Sequence, residues 1–147
     1  MEKKLVHSLA EMDAFAESFL LKLEKNKEGA TLVTLKGELG AGKTAFVKAC
    51  AQGLDIKETI TSPTFVLEKI YKLEDKAFGH LIHIDSYRLE SGSELAKIGF
   101  AEILKDKNNI IFLEWPEIVE DVLPKESINL KFKFINEGVR EIEYASN

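Results

Sequence analysis

A glycine-rich segment from Gly37 to Thr44 contains the residue types that a protein needs to hold a phosphate chain. It reads Gly-Glu-Leu-Gly-Ala-Gly-Lys-Thr and matches the pattern G-x-x-x-x-G-K-[ST] in full. Its glycines allow the backbone to turn N–H groups inward around phosphates. Lys43 can bridge β- and γ-phosphates, and the Thr44 hydroxyl can take one place on a magnesium ion. The segment predicts a nucleotide-binding loop rather than an ordinary turn.

The sequence on both sides of this loop predicts the elements that must position it. Thr31–Lys36 is a strand-like run, and Ala45–Gln52 is a helix-like run that follows the loop directly. The N-terminus of such a helix places a partial positive charge beside bound phosphates. A strand, a loop and a helix in this order form the context in which the motif binds nucleotide.

Two further apolar runs each end in an acidic residue. These runs are His80–Asp85 and Asn109–Glu114. Ligands of open α/β sheets lie beyond the carboxyl ends of the strands, so Asp85 and Glu114 are both expected to face the γ-phosphate. One acid could hold magnesium through water while the other orients the hydrolytic water. The alternative is that one of them caps a helix or pairs with a lysine.

Four other polar residues are candidates for the same site. Thr61 and Thr64 lie on a polar loop that could sense the γ-phosphate, or that could be an ordinary turn with a capping threonine. His83 shares a strand face with Asp85, and we expect a satisfied core residue there rather than a metal ligand. Arg88 could reach a phosphate, dock a partner or brace a local carboxylate.

The whole pattern predicts an α/β fold in one P-loop ATPase domain over residues 1–147. The expected architecture is a P-loop NTPase-like three-layer sandwich with a mixed sheet, parallel around the nucleotide and antiparallel at its C-terminal edge. The other predicted elements are a helix over Leu9–Lys25, a strand over Val66–Leu73, short helices over Ser93–Ile98 and Phe100–Lys105, a helix starting at Pro116, and a hairpin of Ile128–Ile135 with Val139–Tyr144.

The composition narrows the class of protein. The chain is 45% hydrophobic and 31% charged, as in soluble globular proteins, and its net charge of −5 gives no global basic footprint for nucleic acid. The single cysteine, Cys50, makes neither an intramolecular disulfide nor a zinc cluster. No apolar run approaches ~18 residues, so we expect no membrane association and a cytoplasmic location.

Four motifs resemble the TsaE (YjeE) family, the small ATPases of bacterial tRNA threonylcarbamoyladenosine (t6A) biosynthesis. They are Gly-Glu-Leu-Gly-Ala-Gly-Lys-Thr at 37–44, Thr-Ser-Pro-Thr-Phe at 61–65, His-Ile-Asp-Ser-Tyr-Arg-Leu at 83–89 and Leu-Glu-Trp-Pro-Glu at 113–117. The loop alone is generic, whereas the set of four in this order and spacing is specific and spans nearly the whole chain.

The resemblance implies ATP and Mg²⁺ as ligands. Magnesium would lie at Thr44 and Glu114, with Asp85 a further metal-side or catalytic acid, and Lys43 would be catalytic. Thr61 to Thr64 would have a switch-like role. The residues implied in nucleotide binding are Glu38, Leu39, Gly40, Ala41, Gly42, Lys43, Thr44, Thr61, Thr64 and, on the adenine side, Leu9 and Gly138. The chain departs from the family where Met12 replaces a frequent threonine.

The same resemblance implies the TsaB–TsaD pair as partners, with tRNA contacted only indirectly. ATP hydrolysis would reset that pair between turnovers, and activity without it would be weak. The sequence leaves self-association open.

Three other functions share the loop. A small-molecule kinase usually closes an arginine-rich lid over the phosphates, but this chain has only Arg88 and Arg140. A GTPase normally carries an Asn-Lys-x-Asp segment for guanine, and none is present. A module that binds nucleotide without hydrolysis remains the non-enzyme alternative, although Asp85 and Glu114 favour hydrolysis.

Overall fold

The computed structural model describes residues 2–58 and 68–145, which form one sheet with helices on both faces. The strands are β1 (Glu2–Val6), β2 (Thr31–Lys36), β3 (Glu68–Lys72), β4 (His80–Asp85), β5 (Asn109–Glu114), β6 (Ile128–Asn136) and β7 (Val139–Tyr144). The helices are α1 (Leu9–Lys22), α2 (Lys43–Gly53), α3 (Gly92–Lys97) and α4 (Phe100–Lys105), with 3₁₀ turns at Pro116–Ile118 and Glu120–Val122. Thr61 and Thr64 lie outside the described residues.

The seven strands lie in the order β1-β7-β6-β2-β5-β4-β3. The four strands β6, β2, β5 and β4 run parallel to one another and form the centre of the sheet. β7 and β1 add an antiparallel edge, as the sequence predicts for the C-terminal hairpin. β3 adds a second antiparallel edge beside β4, which the sequence pattern did not specify.

The core has two layers because the parallel strands bury both faces. One layer lies under α1 and α2 and centres on Phe46, whose ring contacts the rings of Phe15, Phe19, Phe112 and Phe132. The other lies under α3 and α4 and includes Leu95 and Phe100. This arrangement confirms the mixed three-layer α/β architecture.

Three elements differ from the sequence prediction. β1 is missing from that prediction because only Val6 of its five residues is buried, so it has no apolar alternation to detect. It is instead held by pairing with β7, where Lys3 lies opposite Glu143. α1 ends at Lys22 rather than at Lys25, and Lys25 donates hydrogen bonds to the Ala77 carbonyl and to Asn108.

The helix predicted at Pro116 is only a 3₁₀ turn of three residues. No helix in the described part of the chain is long and apolar enough to cross a membrane.

Candidate active site

The glycine-rich loop leaves the end of β2 and enters α2 in a conformation that needs glycine, as Gly42 and Gly37 show. Gly42 is the N-cap of α2 and has a φ of 107°, in the left-handed region. Gly37 has a φ of 151°, and a Cβ there would lie 2.5 Å from the carbonyl oxygen of Phe132 on β6. A side chain at position 37 would therefore collide with the neighbouring strand, which explains how β6 fixes the start of the loop.

The N-terminus of α2 offers backbone donors at the end of this loop. Lys43, Thr44 and Ala45 are its first residues, and the first N–H groups of a helix have no partner inside that helix. The helix dipole adds partial positive charge at the same point. The arrangement is suited to binding an anion, and phosphate is the anion that this geometry commonly holds.

Lys43 is buried beneath the loop that carries it. Its residue is only 4% exposed, its Nζ donates a hydrogen bond of 2.5 Å to the Gly37 carbonyl, and Nζ lies 3.8 Å from the centre of the Trp115 ring. Burial lowers the pKa of the Lys43 ammonium, and the negative charges of Glu114 and Asp85 oppose that shift. The Lys43 side chain thus contacts both the loop backbone and an aromatic face.

Asp85 and Glu114 end neighbouring parallel strands and lie opposite each other in the register. Asp85 accepts a hydrogen bond of 3.0 Å from the Tyr87 backbone N–H, while Glu114 is almost fully buried. Burial raises the pKa of the Asp85 carboxyl, and the Glu114 charge adds to that rise, against the Tyr87 hydrogen bond. Strand alternation places the two acids on the side of the sheet that faces α2.

His83 has a partner that the sequence interpretation did not name. It is fully buried, and its Nε2 lies 2.6 Å from Oε2 of Glu114. Within the described residues its Nδ1 has no hydrogen-bond partner. His83 is therefore more than a satisfied core residue, because its contact with Glu114 orients a strand-end acid. In the sequence, the position of His83 on the same strand face as Asp85 could have suggested that it acts at the site. Finding its partner Glu114 also required knowing that β4 lies beside β5.

One cavity of about 470 Å³ joins the loop, the acids and the N-terminal part of the chain. Its walls include Leu39, Gly40, Gly42, Lys43, Thr44, Asp85, Glu114, Trp115, Val6, His7, Ser8, Leu9, Met12, Ala45, Glu137, Gly138 and Arg140. Leu9 and Gly138 thus share a cavity with the phosphate loop although they are far from it in sequence. Glu38 and Ala41 belong to the loop but do not line this cavity.

The donor set fits magnesium only together with a ligand that brings its own oxygens. No group of three or more acidic, histidine or cysteine side chains that could hold a metal occurs among the described residues. The Thr44 hydroxyl and the carboxylates of Asp85 and Glu114 nevertheless line the same cavity. Mg²⁺ is commonly bound by one or two carboxylates plus substrate phosphates rather than by an all-protein cage.

The parallel central strands, the loop between β2 and α2, and the acids at the ends of β4 and β5 define a P-loop fold. A crystal structure of Bacillus subtilis YdiB has the same fold, with a TM-score of 0.73 and 28% identity over 96% of this chain and 82% of that one.

Sequence comparison identifies the family. The family model described as threonylcarbamoyl adenosine biosynthesis protein TsaE matches residues 6–142, so the chain belongs to the TsaE family of tRNA threonylcarbamoyladenosine biosynthesis. The protein of that name from Borreliella burgdorferi is 36% identical over 138 residues, which are 93% of this chain and 90% of that protein. The Treponema pallidum protein is 39% identical over 120 residues, covering 80% and 84% of the two chains.

Proposed function

We propose that this protein is an ATPase that hydrolyses Mg·ATP at the Gly37–Thr44 loop and so resets the TsaB–TsaD complex between rounds of t6A synthesis. The observation that carries the proposal is that one cavity brings Lys43 and Thr44 together with Asp85 and Glu114. Phosphoryl transfer to water needs phosphate-binding groups, a metal with its carboxylate support and a group that orients water, and these residues can supply all three.

Each residue has a definable part in this proposal. The α2 N-terminus and Lys43 bind the phosphates, and Lys43 must leave the Gly37 carbonyl and the Trp115 ring to reach them. Thr44 and Glu114 would hold Mg²⁺, which when bound supplies charge to the phosphate oxygens. Asp85 is a further metal-side or catalytic acid, and His83 holds Glu114 in one orientation.

The adenine side of the ligand is proposed to lie where Leu9 and Gly138 line the cavity. The residues of this wall come from the start of α1 and from the turn between β6 and β7. The chain lacks the Asn-Lys-x-Asp segment that reads guanine in GTPases, which favours ATP over GTP.

The proposal also explains why the isolated protein should be slow. The chain has only two arginines, so few guanidinium groups are available to enclose the phosphates and balance the charge that develops during phosphoryl transfer. A partner that docks beside Thr61 to Thr64 and Arg88 would order the site and couple hydrolysis to its own cycle. We propose TsaB–TsaD as that partner in the cytoplasm, with tRNA contacted only through the complex.

The decisive experiment follows repeated t6A synthesis by the cognate TsaB–TsaD pair, supplied with tRNA and its threonylcarbamoyl donor in excess. With the parent protein, synthesis should continue over many turnovers. With Lys43→Ala it should stop after few, because the ammonium that binds the phosphates is lost. Lys48→Ala is the matched control, since Lys48 is an exposed lysine of the same helix that does not line the cavity.

Two results would contradict the proposal. If neither the parent protein nor its Lys43→Ala variant changes repeated turnover, the protein does not reset the complex. If the parent binds ATP but releases no phosphate in the presence of the pair, it is a nucleotide-binding module rather than an ATPase.

A further inference from the structure

Arg140 connects the C-terminal hairpin to the phosphate loop across one hundred residues of sequence. It lies on β7, paired with Val6 of β1. Its Nε donates a hydrogen bond of 2.9 Å to the carbonyl oxygen of Gly40 in the loop. Its Nη1 donates one of 2.6 Å to the carbonyl of Asn136, and its guanidinium lies 4.5 Å from the centre of the Phe134 ring. The hairpin therefore holds Arg140, and Arg140 holds the loop.

The peptide unit between Gly40 and Ala41 is hydrogen-bonded at both its carbonyl and its N–H group. The Gly40 carbonyl accepts from Arg140, while the N–H of the same peptide, which belongs to Ala41, donates 3.2 Å to the Glu38 carbonyl. Both polar groups of this peptide are used inside the protein. The peptide plane therefore has a defined orientation, which in turn limits the directions that the following N–H groups can take.

Packing does little to fix the loop at the same point. Gly40 is exposed and has a φ of 79°, and a Cβ there would meet nothing within 4 Å among the described residues. Glycine at such a position has many accessible conformations, and ordering them on ligand binding costs free energy. The aliphatic stem of Arg140 packs against the loop at Gly42 instead, where its Cγ lies 3.6 Å from the position that a Cβ would occupy.

We propose that Arg140 is a positioning residue that holds the phosphate loop in its binding conformation before nucleotide arrives. The inference rests on the proposed function in one respect, namely that the loop binds nucleotide. Nε and Nη1 of Arg140 are committed to backbone carbonyls, so its effect is on the loop rather than on the charge of the transition state. It should therefore alter nucleotide affinity and leave the rate at saturating ATP largely unchanged.

The test compares Arg140→Met with Phe134→Leu. Arg140→Met keeps an unbranched apolar stem but removes the donor to Gly40, whereas Phe134→Leu removes the ring contact within the hairpin and leaves that donor in place. Amide exchange in the nucleotide-free protein should accelerate across residues 38–44 far more in Arg140→Met than in Phe134→Leu, which keeps the hydrogen bonds of Arg140 to Gly40 and Asn136. Nucleotide affinity, measured by calorimetry, should fall about tenfold in the same variant, as expected for one lost charge-assisted hydrogen bond.

Several results would overturn the proposal. Unchanged loop exchange in Arg140→Met would show that Arg140 does not hold the loop, and weaker affinity without faster exchange would show that it contacts the ligand directly. Unchanged affinity, or equal effects of Phe134→Leu, would also contradict it. If Arg140→Met does not fold, Arg140→Lys can be compared with Phe134→Leu in the same two measurements, since it keeps the charge but lacks a donor at the Nε position.

Different results would contradict the proposed function and the role of Arg140. If the parent protein binds no nucleotide, or if Lys43→Ala binds it equally well, the loop is not the nucleotide site. The exchange comparison in the nucleotide-free protein still decides whether Arg140 fixes the loop.

Discussion

The two faces of the central sheet are built from the same parallel strands but carry different chemistry. The face beneath α1 and α2 has an aromatic core around Phe46, and at its carboxyl end it carries Lys43, His83 and Glu114. These are the buried lysine, histidine and glutamate side chains among the described residues. The face beneath α3 and α4 is packed with aliphatic side chains such as Ile84.

The difference shows how one sheet can separate stability from chemistry. Side chains alternate along a strand, so His83 and Asp85 face α2 while Ile82 and Ile84 face the opposite layer. A buried ionisable group costs free energy unless it is paired, and such groups are tolerated here where the loop and the α2 N-terminus open a cavity. The apolar layer behind them carries no such cost and can hold the strand ends in place.

The largest expected contrast comes from one truncation on each face. Lys43→Ala should reduce ATP hydrolysis by about 10²-fold or more, because the cation at the phosphates is lost, while the free energy of unfolding changes little. Leu95→Ala, in the fully buried position of α3, should lower that free energy by about 2–5 kcal/mol because it leaves a cavity. Phosphate release and urea unfolding measure the two effects.

The contrast between the two faces would be contradicted if Lys43→Ala and Leu95→Ala had the same effect on ATP hydrolysis. Leu95→Ala should still hydrolyse ATP near the parent rate at temperatures where it is folded, since Leu95 does not line the cavity. A loss of hydrolysis equal to that of Lys43→Ala would mean that the two faces are not independent.

Local sequence patterns were sufficient for the elements that carry the site. β2, β4 and β5 have the predicted bounds because each is a short apolar run. α2 is present where the motif predicts a helix, but it begins at Lys43, two residues before the predicted Ala45. The general fold and its family follow from these elements and the order of four motifs.

The contacts that orient the site residues could not be read from such patterns. The pair of His83 and Glu114 is separated by 31 residues, and that of Arg140 and Gly40 by 100. Each depends on which strands are neighbours, and no local propensity encodes that order. The stacking of Lys43 on Trp115 depends in addition on a left-handed backbone conformation at Trp115, which has a φ of 60°.

A smaller contrast is expected between the two acids on the site face. Glu114 is the more buried acid and is held by His83, so Glu114→Gln should weaken Mg²⁺-dependent nucleotide binding by about 10–100-fold. Asp85→Asn should lower the rate of hydrolysis more than it lowers binding. Calorimetric titration with and without Mg²⁺, together with phosphate release, separates the two effects.

The matched control for these variants is Glu120→Gln. Glu120 is an exposed acid on the second 3₁₀ turn after Glu114, and it does not line the cavity. Binding and rate should be near the parent values in this variant. If Glu114→Gln and Asp85→Asn both bind nucleotide and hydrolyse ATP like the parent, neither acid acts at the site.

The smallest expected effect is spectroscopic and is specific to the site face, because Trp115 is the only tryptophan of the chain. Its ring lies 3.8 Å from the Lys43 ammonium and 5.0 Å from the centre of the Tyr87 ring. A cation–π contact contributes only ~0.5–2 kcal/mol, so bound phosphates can draw Lys43 away from the ring. Mg·ATP or Mg·ADP should therefore change the intrinsic fluorescence of the parent and of Leu95→Ala, while ligand-free Lys43→Ala should already differ from the parent. Unchanged parent emission at nucleotide concentrations where calorimetry shows binding would mean that Lys43 stays on Trp115 and does not reach the phosphates.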